Sequence, residues 1–310
     1  MSMIVAQPGI LSLLQDSGRW GHHRLGLSNG GPVDREAFNY CNRLLQNPAG
    51  TTAVEVSVGG LQLESKVETF ICLTGANMPL SINGEDRAAW EVHKVIAGDT
   101  ISLGFAQSGC RSYLGVADGF TIVPALGSTA TVVRENIGGL NGDKLRAGDQ
   151  LPCPVIATRT RYYLEDRFRP RYQKTMTVRV IPGYQQRHFS RAEQRRFFGS
   201  TYTVSERCDR MGYRLEGPAI RCNIDGIVSE GICFGAIQLP PDGQPIVLLN
   251  DRQTIGGYPK IGSALSMDVS RMSQLVAGNT VHFAPISHHT ARRALHLAQR
   301  FVLGQSLQAR

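Results

Sequence analysis

Over residues 54–58, Val54, Val56 and Val58 are separated by Glu55 and Ser57, and Leu61 and Leu63 resume the pattern beyond Gly59-Gly60. A period of two marks a strand, because successive side chains point to opposite faces of a sheet. The glycine pair is read as a bulge within one continuing strand. Similar runs recur at residues 67–73, 100–105, 111–117, 177–181 and 246–249. With 34 glycines and 15 prolines to supply turns, the chain is read as mainly β with a few short helices. Asp34 is placed to cap a helix with Ala37, Cys41, Leu44 and Leu45 on one face, ended by Asn47-Pro48. Ser190 and Glu193 suggest a capping box for a helix reaching Phe198. Asp268 is expected to cap a helix over 269–275. Ser287 is expected to start a last helix with Ala291, Leu295, Ala298 and Val302 inward.

The 310 residues suffice for two domains. Residues 157–174 lose glycine and gain arginine, which predicts a connection between halves. The expected division is 1–156, a linker 157–175, and 176–310. Three short segments echo one another: Ala97-Gly98-Asp99-Thr100-Ile101, Ala147-Gly148-Asp149-Gln150-Leu151 and Ala277-Gly278-Asn279-Thr280-Val281. Each reads as a tight turn followed by a strand, and their recurrence suggests related β halves.

The hydrophobic and charged fractions, 42% and 19%, are those of a soluble globular protein. No apolar run approaches bilayer length, and the first residues show neither a basic region nor a long apolar core, so no membrane span or signal peptide is expected. Seven cysteines, an odd number with no C-x-x-C, argue against a disulfide framework or a zinc ribbon. Reduced, mostly buried thiols in the cytoplasm are expected. The net charge of +8 comes mainly from scattered arginines, with five lysines. No aromatic-basic motif of a nucleic-acid-binding module occurs, and an acidic protein partner or a carboxylate substrate suits this charge equally well, so no nucleic acid is expected.

Chemistry concentrates at residues 235–262. The apolar run 246–249 leads into Asn250, Asp251, Gln253 and Thr254, then Gly256, Gly257 and Tyr258-Pro259-Lys260. This is either a turn-rich hairpin or a ligand site, since glycines with positive φ permit close backbone approach. A site using Asn250, Asp251, Gln253 and Thr254 together requires the strand to stop near Asn250, because alternate residues otherwise face opposite sides. In Asp209-Arg210-Met211-Gly212-Tyr213-Arg214, Arg210 is either part of a structural ion pair or a fork for a carboxylate or phosphate. Asp34 is a helix cap or part of an anion site. Asp16 and Arg19 brace the N-terminal loop. Gly26-Leu27-Ser28-Asn29-Gly30 fits G-x-S-x-G but lacks the strand and helix that a nucleophile elbow needs. The adjacent pairs His22-His23 and His288-His289 make poor metal clamps, so no metal is expected. No Walker A loop, G-x-G-x-x-G or H-E-x-x-H occurs.

Four motifs in order resemble the allophanate-hydrolase-subunit-2 family, also called the biotin-dependent carboxyltransferase-like or KipA family. They are Gln15-Asp16-Ser17-Gly18-Arg19-Trp20-Gly21 with Gly31-Pro32-Val33-Asp34; Asn42-Arg43-Leu44-Leu45-Gln46-Asn47 leading to Glu55; the Asp209 to Pro218 segment; and the 235–262 segment. Pro32 stands where the family usually carries a small residue. The resemblance implies two tandem cyclophilin-like β-barrel domains. It implies a cytoplasmic subunit of an ATP-dependent 5-oxoprolinase, working with KipI-like and LamB/YcsF-like subunits, with ATP used at the level of the complex. No lysine lies in a Met-Lys-Met context, so no biotin is expected on this chain. Opening a lactam then assigns Asp251 as general base, and Asn250 and Gln253 as amide partners. Arg210 is the carboxylate fork, and Lys260 offsets phosphate charge. Thr254, Gly256, Gly257, Tyr258, Tyr213 and Asp34 are the further substrate-binding candidates. The alternatives are a carboxyltransferase-type subunit acting on urea or another amide with a biotin carrier, and a non-catalytic antagonist of a kinase inhibitor.

Overall fold

The computed structural model describes residues 1–310. The mainly β expectation holds, with four α-helices among the strands. The chain forms two compact units. The first comprises Met1–Trp20, Gly30–Tyr172 and Ser306–Arg310, and the second Gly21–Asn29 and Gln173–Gln305. The stretch predicted as a linker, 157–175, therefore belongs to the first unit as far as Tyr172. Within it, Leu164 is fully buried and Tyr162–Tyr163 pairs with Gln308–Ala309.

The first unit is a six-stranded and a five-stranded antiparallel sheet sharing one core. Met3, Val5, Leu61, Leu63 and Ile101 come from one sheet; Val54, Val56, Ile71, Leu73 and Leu114 come from the other. Its sheets do not join into a hydrogen-bonded barrel. The strands Ala53–Ser57 and Leu61–Ser65 lie in different sheets, so Gly59-Gly60 is a crossing between sheets and not a bulge within one strand. A Cβ on Gly59 would fall 2.2 Å from the carbonyl oxygen of Gly104, so only glycine fits the crossing. Helix α1, Arg35–Leu44, starts at Asp34 as expected; its carboxylate accepts the Ala37 N–H at 3.1 Å.

The second unit closes into a barrel of seven strands in the order Thr175–Pro182, Lys260–Ala264, Ala236–Gln238, Ile246–Leu248, Gly212–Glu216, Thr201–Cys208 and Thr280–Pro285. Val178, Val180, Tyr213, Leu215, Ile237, Val247 and Phe283 fill it. Helix α2, Arg191–Gly199, is capped by Ser190, but the Glu193 carboxylate accepts from Arg221 N–H and does not complete a capping box. Helix α3, Ser266–Met272, begins three residues earlier than predicted. Asp268 lies inside it and grips Arg179, accepting from its backbone N–H, Nε and Nη2. Helix α4, His288–Gly304, is capped by Ser287 as expected, but Leu295 is exposed. All seven cysteines are free, and only Cys41, Cys72 and Cys153 are buried. No helix is long and apolar enough to cross a membrane.

Candidate functional site

The strand Ile246–Leu248 pairs with Gly212–Glu216, placing Gly212 opposite Leu248 and Tyr213 opposite Val247. Beyond its end the ladder continues through two turns. Leu249 N–H donates to Met211 O at 2.8 Å, and Asp251 N–H to Arg210 O at 2.9 Å. The two turns thus bring their side chains together. Arg210 Nε donates to Asp251 Oδ2 at 2.8 Å and Nη2 to Oδ1 at 3.0 Å, with both side chains under a tenth exposed. This fork-to-carboxylate geometry is the strongest form of the pair. It corrects two expectations. The fork of Arg210 grips Asp251, so it is not presented as an open carboxylate receptor. Asp251 uses both oxygens on a cation, which makes it a poor proton acceptor.

The strand stops where a clustered site requires, and Asn250 and Asp251 form the turn, both buried. Arg252, which sequence reasoning passed over, is buried too. Its Nε donates to Ile232 O at 3.1 Å and its Nη1 to Leu249 O at 3.2 Å. Ser28, the G-x-S-x-G serine, is buried and donates to Arg252 O at 2.8 Å; no strand precedes it and no helix follows at once. Gln253 is exposed and Thr254 half-buried. The short strand Ile255–Gly256 then pairs with Glu230–Gly231. Neither Gly256 nor Gly257 has a positive φ, contrary to expectation. Gly256 is required by crowding: a Cβ there would lie 2.4 Å from Ile232 Cδ1 and 2.7 Å from Gln238 Nε2. Tyr258 is exposed. Tyr213 is a core residue; its hydroxyl donates toward Ser273 O and Leu275 O at 2.9 and 3.0 Å, so it is not a substrate contact.

Lys260 opens the next barrel strand opposite Gln238 and carries the most chemically useful cluster of this unit. Its backbone N–H donates to Gln185 Oε1 at 2.8 Å, while its ammonium donates to Glu230. The Gln185 amide donates to Glu230 Oε1 at 2.9 Å and to the Tyr184 oxygen at 3.1 Å, and the Tyr184 hydroxyl donates to Glu230. The Lys260 ammonium, then the Tyr184 hydroxyl, hold the Glu230 carboxyl below its ordinary range. The same bond to Glu230 raises the Tyr184 phenol. Sequence reading found Lys260 and missed Tyr184, Gln185 and Glu230. The one available cue was Gly183-Tyr184-Gln185-Gln186, a polar run at the end of the strand predicted at 177–181. An ammonium fixed by a carboxylate, with amides beside it, can donate to an oxygen that bears negative charge.

Asp34 belongs to the first unit and is fully buried there, in a network with buried Glu55 and Tyr113 and half-buried Tyr172. Its second oxygen accepts from the Tyr172 hydroxyl at 2.8 Å, and its N–H donates to the Tyr113 oxygen at 2.8 Å. Tyr113 in turn donates to Glu55 Oε2 at 2.8 Å, which also accepts Val33 N–H at 3.1 Å. Burial, and then the charge of Glu55, push the Tyr113 phenol well above its usual value. Both readings of Asp34 were open in the sequence; the geometry shows it capping α1 and holding Tyr172.

Comparison with known proteins places this geometry in context. The model of the carboxyltransferase domain, subdomain A and B, matches residues 25–285. The chain is 35% identical to a 5-oxoprolinase subunit of Escherichia coli (strain K12) over 96% of this chain and 95% of that protein. Among solved structures, the urea amidolyase of K. lactis superposes with a TM-score of 0.90 at 26% identity, covering 97% of this chain and 20% of that one. TTHA0988 superposes with a TM-score of 0.83 at 29% identity, covering 91% of this chain and 55% of that one.

Proposed function

The chain belongs to the carboxyltransferase domain family, and from that premise we propose that it is one subunit of an ATP-dependent 5-oxoprolinase. The observation that carries this reading is the end-to-end match to a 5-oxoprolinase subunit, which covers 95% of that relative. The assembly opens 5-oxo-L-proline to L-glutamate, together with KipI-like and LamB/YcsF-like companions. A five-membered lactam is an unreactive amide. Phosphorylating its carbonyl oxygen with ATP creates a leaving group and lets water complete the opening, giving glutamate, ADP and phosphate.

In this reading Lys260, steadied by Glu230 and by the Gln185 amide that is fully engaged with both, offsets negative charge on the activated oxygen, and the Gln238 amide contacts the lactam. Asn250, Gln253 and Thr254 supply further polar contacts. The Arg210–Asp251 pair positions the turn that presents them. ATP is a substrate of the assembly and is not assigned to a phosphate loop of this chain. Of the four helix starts, Asp34, Ser190 and Ser287 close three with their own side chains, and Leu265 precedes the fourth.

The test is reconstitution with the two companions, reading ADP and glutamate release. Lys260→Met is expected to lower kcat by about 100-fold, the usual cost of removing one donor from a developing oxyanion. Wild-type kcat in that variant would remove Lys260 from the site. No 5-oxoproline turnover by the wild-type assembly would remove the function and favour a binding-only role.

The superposition on urea amidolyase favours a second reading, a carboxyltransferase acting on urea with a biotinylated carrier. Urea shares the N–C=O unit of the lactam, so the same donors serve both. ATP turnover that requires urea and the biotinylated carrier would establish that reading instead.

A further inference from the structure

Helix α4 runs for 17 residues, yet Ala291 is the one buried residue along it. At 100° per residue, Ala291, Ala294, Leu295, Leu297, Ala298 and Phe301 fall on one half of its circumference. Leu297 is 64% exposed and Leu295 39%. The opposite half carries three arginines, Arg292, Arg293 and Arg300, and three histidines, His288, His289 and His296. No Asp or Glu occurs in the chain after Asp268. Ala291 is buried and Ala294 and Ala298 are half-buried, so the part of the apolar half that faces solvent is Leu295, Leu297 and Phe301. Exposed apolar surface of this kind is stabilised by a partner that covers it.

We propose that α4 is a docking helix for a companion subunit. It lies in an apolar groove rimmed by carboxylates, in the helix-in-groove mode. This rests on the reading of the chain as one subunit of a larger assembly. Charge selects the occupant. Two copies of this helix would set arginine against arginine with no acid to relieve them, which disfavours self-association. A protein partner is favoured over a lipid surface because TTHA0988, which shares this fold, devotes only 55% of its chain to the matched region. The same two units are there joined to further polypeptide.

Titration of the wild-type chain against purified KipI-like and LamB/YcsF-like subunits, each in turn, tests the proposal. Leu297→Asp is expected to weaken binding to one of them by about tenfold or more, as for a buried interface anchor. Arg292→Glu with Arg300→Glu is expected to weaken the same complex and to flatten its salt dependence. Leu297→Gln serves if Leu297→Asp fails to fold, and circular dichroism melts control for the fold of each variant. Unchanged affinity in these variants overturns the role of α4 and leaves the assembly reading intact. Binding of the wild-type chain to neither companion overturns the assembly reading itself. Two other results also overturn the proposal. One is binding to vesicles of phosphatidylglycerol and phosphatidylcholine that Leu297→Asp abolishes. The other is a concentration-dependent homodimer that the same variant dissociates.

Discussion

Burying Arg210 with Asp251 commits each to the other. Desolvating two charges costs several kcal/mol, which the bidentate geometry and its low exposure offset. Removing the carboxylate leaves the desolvation of the guanidinium without that compensation. Asp251→Ala is therefore expected to destabilise the second unit by about 3–5 kcal/mol in urea unfolding. A loss under about 1 kcal/mol would mean that the pair contributes only at the level of a surface bridge. Sequence alone named both residues but gave each a separate role, because the ladder that joins residues 210 and 251 spans a long sequence separation. Lys260 was legible from its place after two glycines; Glu230, on a separate short strand, and Tyr184 and Gln185, in a 3-10 turn, were not, because the polar run at 184–186 does not say which distant residues it meets. Their coupling has a pH signature. The Glu230 carboxyl is held below its ordinary range, so its contribution to stability is present above the unfolded pKa and is lost as pH falls through the lowered folded one. Carbon-detected NMR should place the Glu230 midpoint below that of an ordinary exposed glutamate, and Lys260→Met should return it toward the ordinary value. A midpoint at or above the ordinary value in the wild-type chain would refute the pairing.

Three turns repeat one geometry at Gly98, Gly148 and Gly278, each with a positive φ. In each, the residue after glycine donates its N–H three residues back: Asp99 to Ile96 O, Asp149 to Arg146 O, Asn279 to Val276 O. The side chain of that same residue accepts the N–H of the residue reached. The five-residue echo in the sequence was therefore a real structural repeat, readable because turn chemistry is local. A Cβ at any of the three would meet nothing within 4 Å, so substitution strains only the backbone. Gly→Ala at each is expected to cost about 1–2 kcal/mol, and Gly→Asn less, since asparagine tolerates the left-handed region. Thermal melts of the six variants decide this; equal costs for alanine and asparagine would contradict a purely conformational origin. Elements whose signals were non-local were misread. Glu55 alternates with valines in the sequence, and nothing local to it shows that the Tyr113 hydroxyl donates to its buried carboxylate from a neighbouring strand. Asp268 looked like a cap and instead serves Arg179, far away in sequence.

At the scale of the molecule, the mainly β class followed from periodicity, whereas strand order and barrel closure followed from nothing local. The arginine-rich stretch reads in the sequence as a connection between halves, whereas each unit recruits a segment from the far side of that stretch. Residues 21–29 serve the second unit and 306–310 the first. In the second unit Ser28 ties to Arg252. In the first, Gln308–Ala309 pairs with Tyr162–Tyr163, and Arg310 Nη1 reaches the buried carboxylate of Glu91 at 2.5 Å. This arrangement makes a prediction for limited trypsin digestion. Arg171 and Lys174 are exposed at the boundary and should be cut first. Denaturing gels should then show two fragments, while native size-exclusion chromatography should still show one species of the original size. The reason is that each nicked fragment retains a segment built into the other's unit, and releasing it would strip Arg310 from Glu91 and Ser28 from Arg252. Arg310→Ala should loosen the first of these ties and speed loss of the nicked species at low denaturant. Separation of two folded fragments under native conditions, without denaturant, would show that the exchanged segments contribute too little to hold them.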